Sequence, residues 1–442
     1  MNNLPHDVDS YLNKFASNHW SLEIGSFEKI NNVIVVPAIS EYKNVVSLLL
    51  SLANNCKDNF ETTVVIFVIN NAESSSSKIK MNNAKTLLFI RSLIKNKAVD
   101  SQYYNRIKAS RLRVGLIDAS SKEKELPEKQ SGVGLARKIG MDVALKIFDY
   151  TNKKKNIIIS LDADCKVERN YINEIVNNFN KHNFEAGVVN YQHEIDNKKI
   201  NSAIICYEIF LRYYALGLKY ANSPFAFHSI GSTIVCDYQI YIKVGGMNKR
   251  KAGEDFYFLE KAAKITQVNM INGTTVYPSS RSSSRVPFGT GQRVKRFISN
   301  WENEYLLYNP KSFYVLKDWL ELFSGEMFIS AEEYLCKAKT INEHLYNFLN
   351  TNNFEEDWNK ILKNSKNDVQ LNKQKINWFN GFKTLKLIHY LRDNAFPSIN
   401  MFDALDEIFT YYNKKVKRDK INIIPDATTQ IEYLETLRKL DK

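Results

Sequence analysis

Short, β-branched apolar runs separated by segments of helical spacing constrain this chain more than any other feature. Val33-Ile34-Val35-Val36, stopped by Pro37, is the first run, and Val64-Val65-Ile66-Phe67-Val68-Ile69, closed by Asn70-Asn71, is the second. Arg113-Val114-Gly115-Leu116-Ile117-Asp118 and Ile157-Ile158-Ile159-Ser160-Leu161 follow. Apolar runs without polar alternation suit strands buried on both faces, as in a parallel sheet. Between them Val45, Leu48, Leu49 and Leu52 recur at helical spacing, as do Leu135, Ile139, Val143 and Ile147, and a further helix is expected over about residues 85–94. This alternation predicts an α/β fold with a mostly parallel central sheet covered on both faces. Ligands of such sheets bind beyond the carboxyl ends of the strands, which points to residues 37–41, Asn70-Asn71, Asp118 and residues 162–164.

After about residue 300 the pattern becomes helical, over residues 313–323, 331–349, 376–391 and 401–412. Ser330-Ala331-Glu332-Glu333 fits a capping box, and Pro397 separates the last two helices. The expected division is an α/β domain over residues 1–300 and a helical accessory region over residues 301–442, in a chain of 442 residues that is long enough for two or three domains. The five cysteines are odd in number and form no CxxC pair, which argues against a disulfide framework or a structural zinc site. The first residues lack a basic segment followed by an apolar one, so no signal peptide is expected. The longest apolar stretch, residues 202–221, contains Glu208, Arg212 and Lys219 and reads as a buried helix rather than a membrane span. A reducing, cytoplasmic setting is the expectation. The net charge of +13 would suit nucleic acid, an anionic membrane or a phosphate-bearing substrate. The basic clusters are short and no basic-aromatic RNA motif is present, so nucleic acid is set aside as a partner.

Four constellations could carry chemistry. Asp162-Ala163-Asp164 puts two carboxylates at a strand end, where they repel unless paired. Mg²⁺ or Mn²⁺ would remove that repulsion, whereas the plainer reading is strand-end aspartates capping the next helix. Gly253-Glu254-Asp255, after Gly245-Gly246-Met247, opens an amphipathic helix, either as a general base on a rigid helix start or as carboxylates favoured by the helix dipole. Gly132-Val133-Gly134 opens another helix with Arg137-Lys138 behind it, which suits a diphosphate, although neither a GxGxxG fingerprint nor a P-loop is present. Arg281, Arg285, Arg293 and Arg296 flank Gly289-Thr290-Gly291, where guanidinium groups could close over a diphosphate or decorate an ordinary basic loop. The seven histidines form no metal-ligand spacing, and His228 reads as a satisfied core or loop histidine.

Taken in order, residues 33–37 with Glu41, Gly134-Leu135-Ala136-Arg137, Leu161-Asp162-Ala163-Asp164, Gly231-Ser232-Thr233-Ile234, Gly245-Gly246-Met247 and Gly253-Glu254-Asp255 resemble family 2 glycosyltransferases of the GT-A fold, over about residues 30–300. The resemblance implies a metal-dependent transfer of a sugar from a UDP- or GDP-sugar to an acceptor hydroxyl, with inversion. It places Pro37, Ile39 and Glu41 beside the base and ribose, and Arg137 near the base or diphosphate. Asp162 would touch the ribose or a metal-bound water, and Asp164 would bind Mn²⁺ or Mg²⁺. Asp255 would be the general base, with Glu254 beside it. Asn70 stands where the family usually places an Asp that pairs with the base, which leaves the nucleotide open. Arg285 and Arg293 are the expected diphosphate contacts. Residues 292–297 read Gln-Arg-Val-Lys-Arg-Phe rather than the Gln-x-x-Arg-Trp of processive members, so a processive synthase is disfavoured. A sugar nucleotidyltransferase would need a Gly-rich basic loop after the first strand, which residues 37–41 do not provide. A non-catalytic carbohydrate- or nucleotide-binding protein is the remaining alternative. The helical region could hold the acceptor, pair two copies into a homodimer or rest on the inner face of a membrane, and the acceptor itself is not legible.

Overall fold

The computed structural model describes residues 4–25, 29–97, 102–195, 198–281, 290–299, 303–325, 328–419 and 421–441. The chain forms two compact units, Met1–Glu194 with Ser229–Gln292, and Ile195–His228 with Arg293–Lys442.

The first unit is built on a nine-stranded sheet. Its strands are β1 (Leu22–Ile24), β2 (Asn32–Ala38), β3 (Thr63–Asn70), β4 (Arg113–Ala119), β5 (Ile157–Ser160), β6 (Lys166–Val167), β7 (Ala186–Tyr191), β8 (Ile234–Asp237) and β9 (Val268–Tyr277). Their order is β1-β4-β3-β2-β5-β8-β7-β9-β6. The four runs read from the sequence are the contiguous parallel block β4-β3-β2-β5. Every residue of β2 and β3 is buried, which is why neither shows polar alternation. The other half is mixed: β8 runs antiparallel to β5 and β7, β9 parallel to β7, and β6 antiparallel to β9. Helices Tyr42–Ala53 and Tyr171–Lys181 contribute Val45, Leu48, Leu49, Ile172, Ile175 and Phe179 to one core with Ile34, Val36, Val65, Phe67 and Ile159. The helix expected near residues 85–94 spans Ser77–Ile94, because its polar early turns conceal its periodicity.

Because β2, β3, β4 and β5 are parallel, their carboxyl ends open on one edge. Residues 38–41, Asn70-Asn71, Asp118-Ala119 and residues 161–164 therefore meet there. The N–H of Leu161 donates to the Val35 carbonyl at 3.1 Å, so the chain is still pinned to β2 when it enters the Asp-Ala-Asp turn.

The second unit is helical, and its parts differ from the expected division at residue 300. Helix Lys198–Tyr220 belongs to it, because Ile205, Ile209, Tyr213 and Leu216 join the core of Phe313, Trp319, Tyr334 and Phe354. Residues 331–349 form two helices, Ala331–Ile341 and Glu343–Thr351. Asn342 between them is extended, and its side chain accepts from the N–H of His344 at 2.9 Å, capping the second helix. Ser330 caps the first by accepting from Glu333 N at 3.1 Å. Residues 376–391 are likewise divided between Asp368–Trp378 and Gly381–Asn394, with Asn380 capping the latter. No helix among the described residues is long and apolar enough to cross a membrane.

One buried charge network anchors this unit. Glu208 and Arg212 are fully buried and bond each other at 2.8 Å, and Arg438 grips Glu208 with Nε at 2.8 Å and Nη2 at 2.9 Å. Arg212 also pairs with Asp441, which meets His228 Nε2 at 3.1 Å. Burial pushes the Asp441 carboxyl up, yet His228 and Arg212 outweigh it and hold the group below the ordinary carboxylate range. Removing one partner of such a pair strands a buried charge. Asp441→Ala should therefore cost about 3 kcal/mol in denaturant unfolding at neutral pH. A carboxyl lowered by folding stabilises above its unfolded value and loses that effect as pH falls through its folded value. The difference between wild type and Asp441→Ala should accordingly shrink in acid, and a pH-independent difference would contradict this account.

Candidate active site

The site is a row of carboxylates at the carboxyl edge of the parallel block, held by two guanidinium groups. The Asp162-Ala163-Asp164 turn is closed by the Cys165 N–H donating to the Asp162 carbonyl at 3.2 Å. Ala163 and Cys165 point into the core, so the two aspartates face outward, with side chains 35% and 27% exposed. Burial pushes the Cys165 thiol well up, which keeps it neutral beside these acids.

Arg137 lies on helix Val133–Ile147, with its side chain 3% exposed. One nitrogen reaches Asp162 Oδ1 at 2.5 Å, and the other pairs with Glu254, which is equally buried. A methyl group at residue 231 would overlap the Arg137 guanidinium, so Gly231 is the floor on which that guanidinium lies. The expected diphosphate cradle at the start of the same helix takes another form. A methyl at Gly132 or Gly134 would overlap the backbone of Asn248, Arg250 or Lys251, so that loop already covers the helix start. Lys138 is buried as well, with Nζ 2.9 Å from Asp142 Oδ2 and 2.9 Å from Tyr11 Oη. Neither cation of the Arg-Lys pair stands open for a phosphate, because each neutralises protein carboxylates.

Gly253 has φ +73°, a left-handed conformation that glycine adopts without strain. It turns the chain into helix Glu254–Ala263, so that Glu254 meets Arg137 and Asp255 follows. Asp255 accepts from the Phe256 N–H at 2.8 Å. Burial raises its carboxyl above the ordinary range, Arg137 and the Phe256 N–H oppose the rise, and the charge of Asp162 adds to it.

On the other side, Arg281 lies just beyond β9. Its Nη1 is 3.0 Å from Glu41 Oε2, its Nη2 pairs with the other Glu41 oxygen, and that nitrogen is also 3.0 Å from Asp164 Oδ2. Glu41 is buried and also accepts from Asn44. Pro37 is buried within β2, and Ile39 is partly buried just past its end. Asn70 is buried and donates to the carbonyls of Ala38 at 3.3 Å and Val68 at 3.2 Å. Asn83 donates to the Asn70 carbonyl at 3.0 Å and accepts from the N–H of Ser40 at 2.8 Å. That bond holds Ser40 at φ +56°, which is costly for a non-glycine residue. Asn70 thus fixes the backbone around the β2 end. Arg293 belongs to the helical unit, where it pairs with Glu304 and lies 4.3 Å above the Phe210 ring. Arg285 lies outside the described residues.

The structure therefore brings Glu41, Arg137, Asp162, Asp164, Glu254 and Asp255 to one edge. It also sets Arg281, one of the four arginines expected to close over a diphosphate, as a clamp on Glu41 and Asp164, and Gly231, expected only as part of the Gly-Ser-Thr-Ile resemblance, as the floor under Arg137. Among the described residues no group of three or more His, Cys, Asp or Glu could hold a metal ion alone. Mg²⁺ and Mn²⁺ need only one or two carboxylates when phosphates and water complete the shell, and the outward oxygens of Asp162 and Asp164 fit that use.

No protein-family model matches the sequence, and no curated protein matches it. Among solved structures the chain is similar to S. aureus TarS 1-349 in complex with UDP-GlcNAc, at 13% identity and TM-score 0.37, over 89% of this chain and 95% of that one. It is similar also to the mannosyltransferase PcManGT from Pyrobaculum calidifontis in complex with GDP-Man and Mn²⁺, at 12% identity and TM-score 0.36, over 98% and 93%.

Gly231→Ala tests the floor. It should push Arg137 off its two acids and destabilise the chain by about 1–3 kcal/mol, the usual cost of overpacking. A melting curve identical to wild type would show that Arg137 is not held there.

Proposed function

We propose that this chain is a glycosyltransferase that moves a sugar from a nucleoside-diphosphate sugar, a UDP- or GDP-sugar, to an acceptor hydroxyl, with inversion. One observation carries the reading. An outward pair of strand-end carboxylates is joined through Arg137 to a helix start whose aspartate is kept more basic than usual. The first element suits a divalent ion shared with a diphosphate, and the second suits proton abstraction.

In this scheme Asp164, with Asp162, would hold Mn²⁺ or Mg²⁺, which when bound would offset charge on the departing diphosphate. Asp255 takes the proton from the acceptor hydroxyl. Its raised affinity for protons makes it a better base than an exposed carboxylate, and its place on a rigid helix start fixes its direction. Glu254 does not share that task, because its charge is committed to Arg137. Arg137 ties the position of the base to that of Asp162, so donor and acceptor sides keep one geometry. The first of the two units is the proposed catalytic part. A thermal-shift assay tests the donor class: Mn²⁺ with UDP or GDP should raise the melting temperature, and RNA should leave it unchanged. No response to either nucleotide would remove the reading.

Asp255→Asn should slow transfer by about 100- to 10,000-fold, the usual contribution of a positioned base. In the wild type, kcat/KM should rise with pH through a value above the ordinary carboxylate range, since only the ionised group accepts a proton. Stability should move the other way. A carboxyl raised by folding destabilises when ionised, and that cost disappears as pH falls below its unfolded value. Asp255→Asn should thus melt higher than wild type at neutral pH, with the gap closing in acid. Unchanged activity in this variant would remove Asp255 from the role of base.

A further inference from the structure

The two clamps differ in a way that bears on how a metal ion could enter. Arg137 is sunk in the protein and bonded to the equally buried Glu254, so its hold on Asp162 belongs to the core of the site. Arg281 is more open, with its side chain 35% exposed. Its grip is also unequal. It meets buried Glu41 through two nitrogens and both carboxylate oxygens, the strong forked geometry of an arginine–carboxylate pair. Asp164 it meets through a single nitrogen at 3.0 Å, on a side chain that is 27% exposed. The weaker and wetter end of the clamp therefore rests on the carboxylate assigned to the metal.

A guanidinium and a divalent cation satisfy the same need of that carboxylate, and two cations held against one carboxylate repel each other. We propose that Arg281 is a built-in counter-cation of the donor-free protein: it takes the metal's place at Asp164, and metal binding requires its guanidinium to release Asp164 while it stays on Glu41. The inference rests on the reading of Asp164 as a metal ligand. It adds that affinity for the metal alone is held down by a residue of the chain. Competition of this kind is reciprocal, so whatever weakens the Arg281–Asp164 pair strengthens the metal. A metal bound weakly by the protein alone and more tightly with a diphosphate present would load together with the donor.

Mn²⁺ binding without nucleotide, read from the loss of the free-ion electron paramagnetic resonance signal, tests this without any turnover. The proteins are wild type, Arg281→Gln, the double variant Glu41→Gln with Arg281→Gln, and Asp164→Asn. The double variant removes one acid and one base, so the local net charge is unchanged and a general gain in negative potential is controlled for. Both Arg281 variants should bind Mn²⁺ about tenfold more tightly than wild type, within the ordinary range of coupling between sites. Asp164→Asn should bind none. Unchanged affinity in the double variant, with binding still lost in Asp164→Asn, overturns the proposal and leaves the metal reading intact. Equal binding in wild type and Asp164→Asn, or none in any protein, overturns the metal reading itself. Should the double variant fail to fold, Arg281→Lys decides in its place. It keeps the charge but cannot fork two carboxylates, so tighter Mn²⁺ binding supports the proposal and unchanged binding overturns it.

Discussion

The site depends on two arginines that pair four of the five carboxylates gathered at one edge of a parallel sheet. Glu41, Asp162, Asp164, Glu254 and Asp255 come from the ends of β2 and β5 and from a helix start far along the chain. Packed without counter-charges they would repel one another. Arg137 joins Asp162 to Glu254, and Arg281 joins Glu41 to Asp164. Negative charge still exceeds positive, and at Asp255 burial above all, with the charge of Asp162 adding to it, holds the carboxyl above its ordinary range. An edge in that condition is suited to a cation and to proton abstraction at once.

Other features of the first unit follow from keeping those two guanidiniums in place. Gly231 has no side chain because Arg137 lies where one would go. Gly253 is left-handed so that the helix behind it can present Glu254 to Arg137 and leave Asp255 beside it. Asn70 at the end of β3 and Asn83 on helix Ser77–Ile94 tie the loop that delivers Glu41, down to the strained backbone of Ser40. Strain and buried charge of this kind concentrate where a structure serves something other than its own stability.

Much of this was legible in the sequence, and the reason is local. Strands buried on both faces must be apolar throughout, so β2, β3, β4 and β5 announce themselves as contiguous runs, and their parallel arrangement fixes which ends hold Asp162, Asp164, Asn70 and Glu41. Long-range pairing was not legible. Arg281 and Glu41 are 240 positions apart, and Arg137 and Glu254 are 117 apart. No periodicity relates such residues, so Arg137 read as a cation for a phosphate when its neighbours are carboxylates. Helix Lys198–Tyr220 showed its burial in its composition, but only packing shows that it joins Trp319 and Tyr334. In the helical unit, the apolar spacing on either side of Asn342 is continuous enough to hide the break that its capping side chain makes.

Release of UDP or GDP from a panel of nucleotide sugars in the presence of Mn²⁺, compared between wild type and Asp164→Ala, tests the central claim most directly. The account predicts slow, metal-dependent release of nucleoside diphosphate from at least one donor by the wild type, and none above background by the variant. Full release by Asp164→Ala, or release by the wild type that is indifferent to removal of the metal, would contradict it.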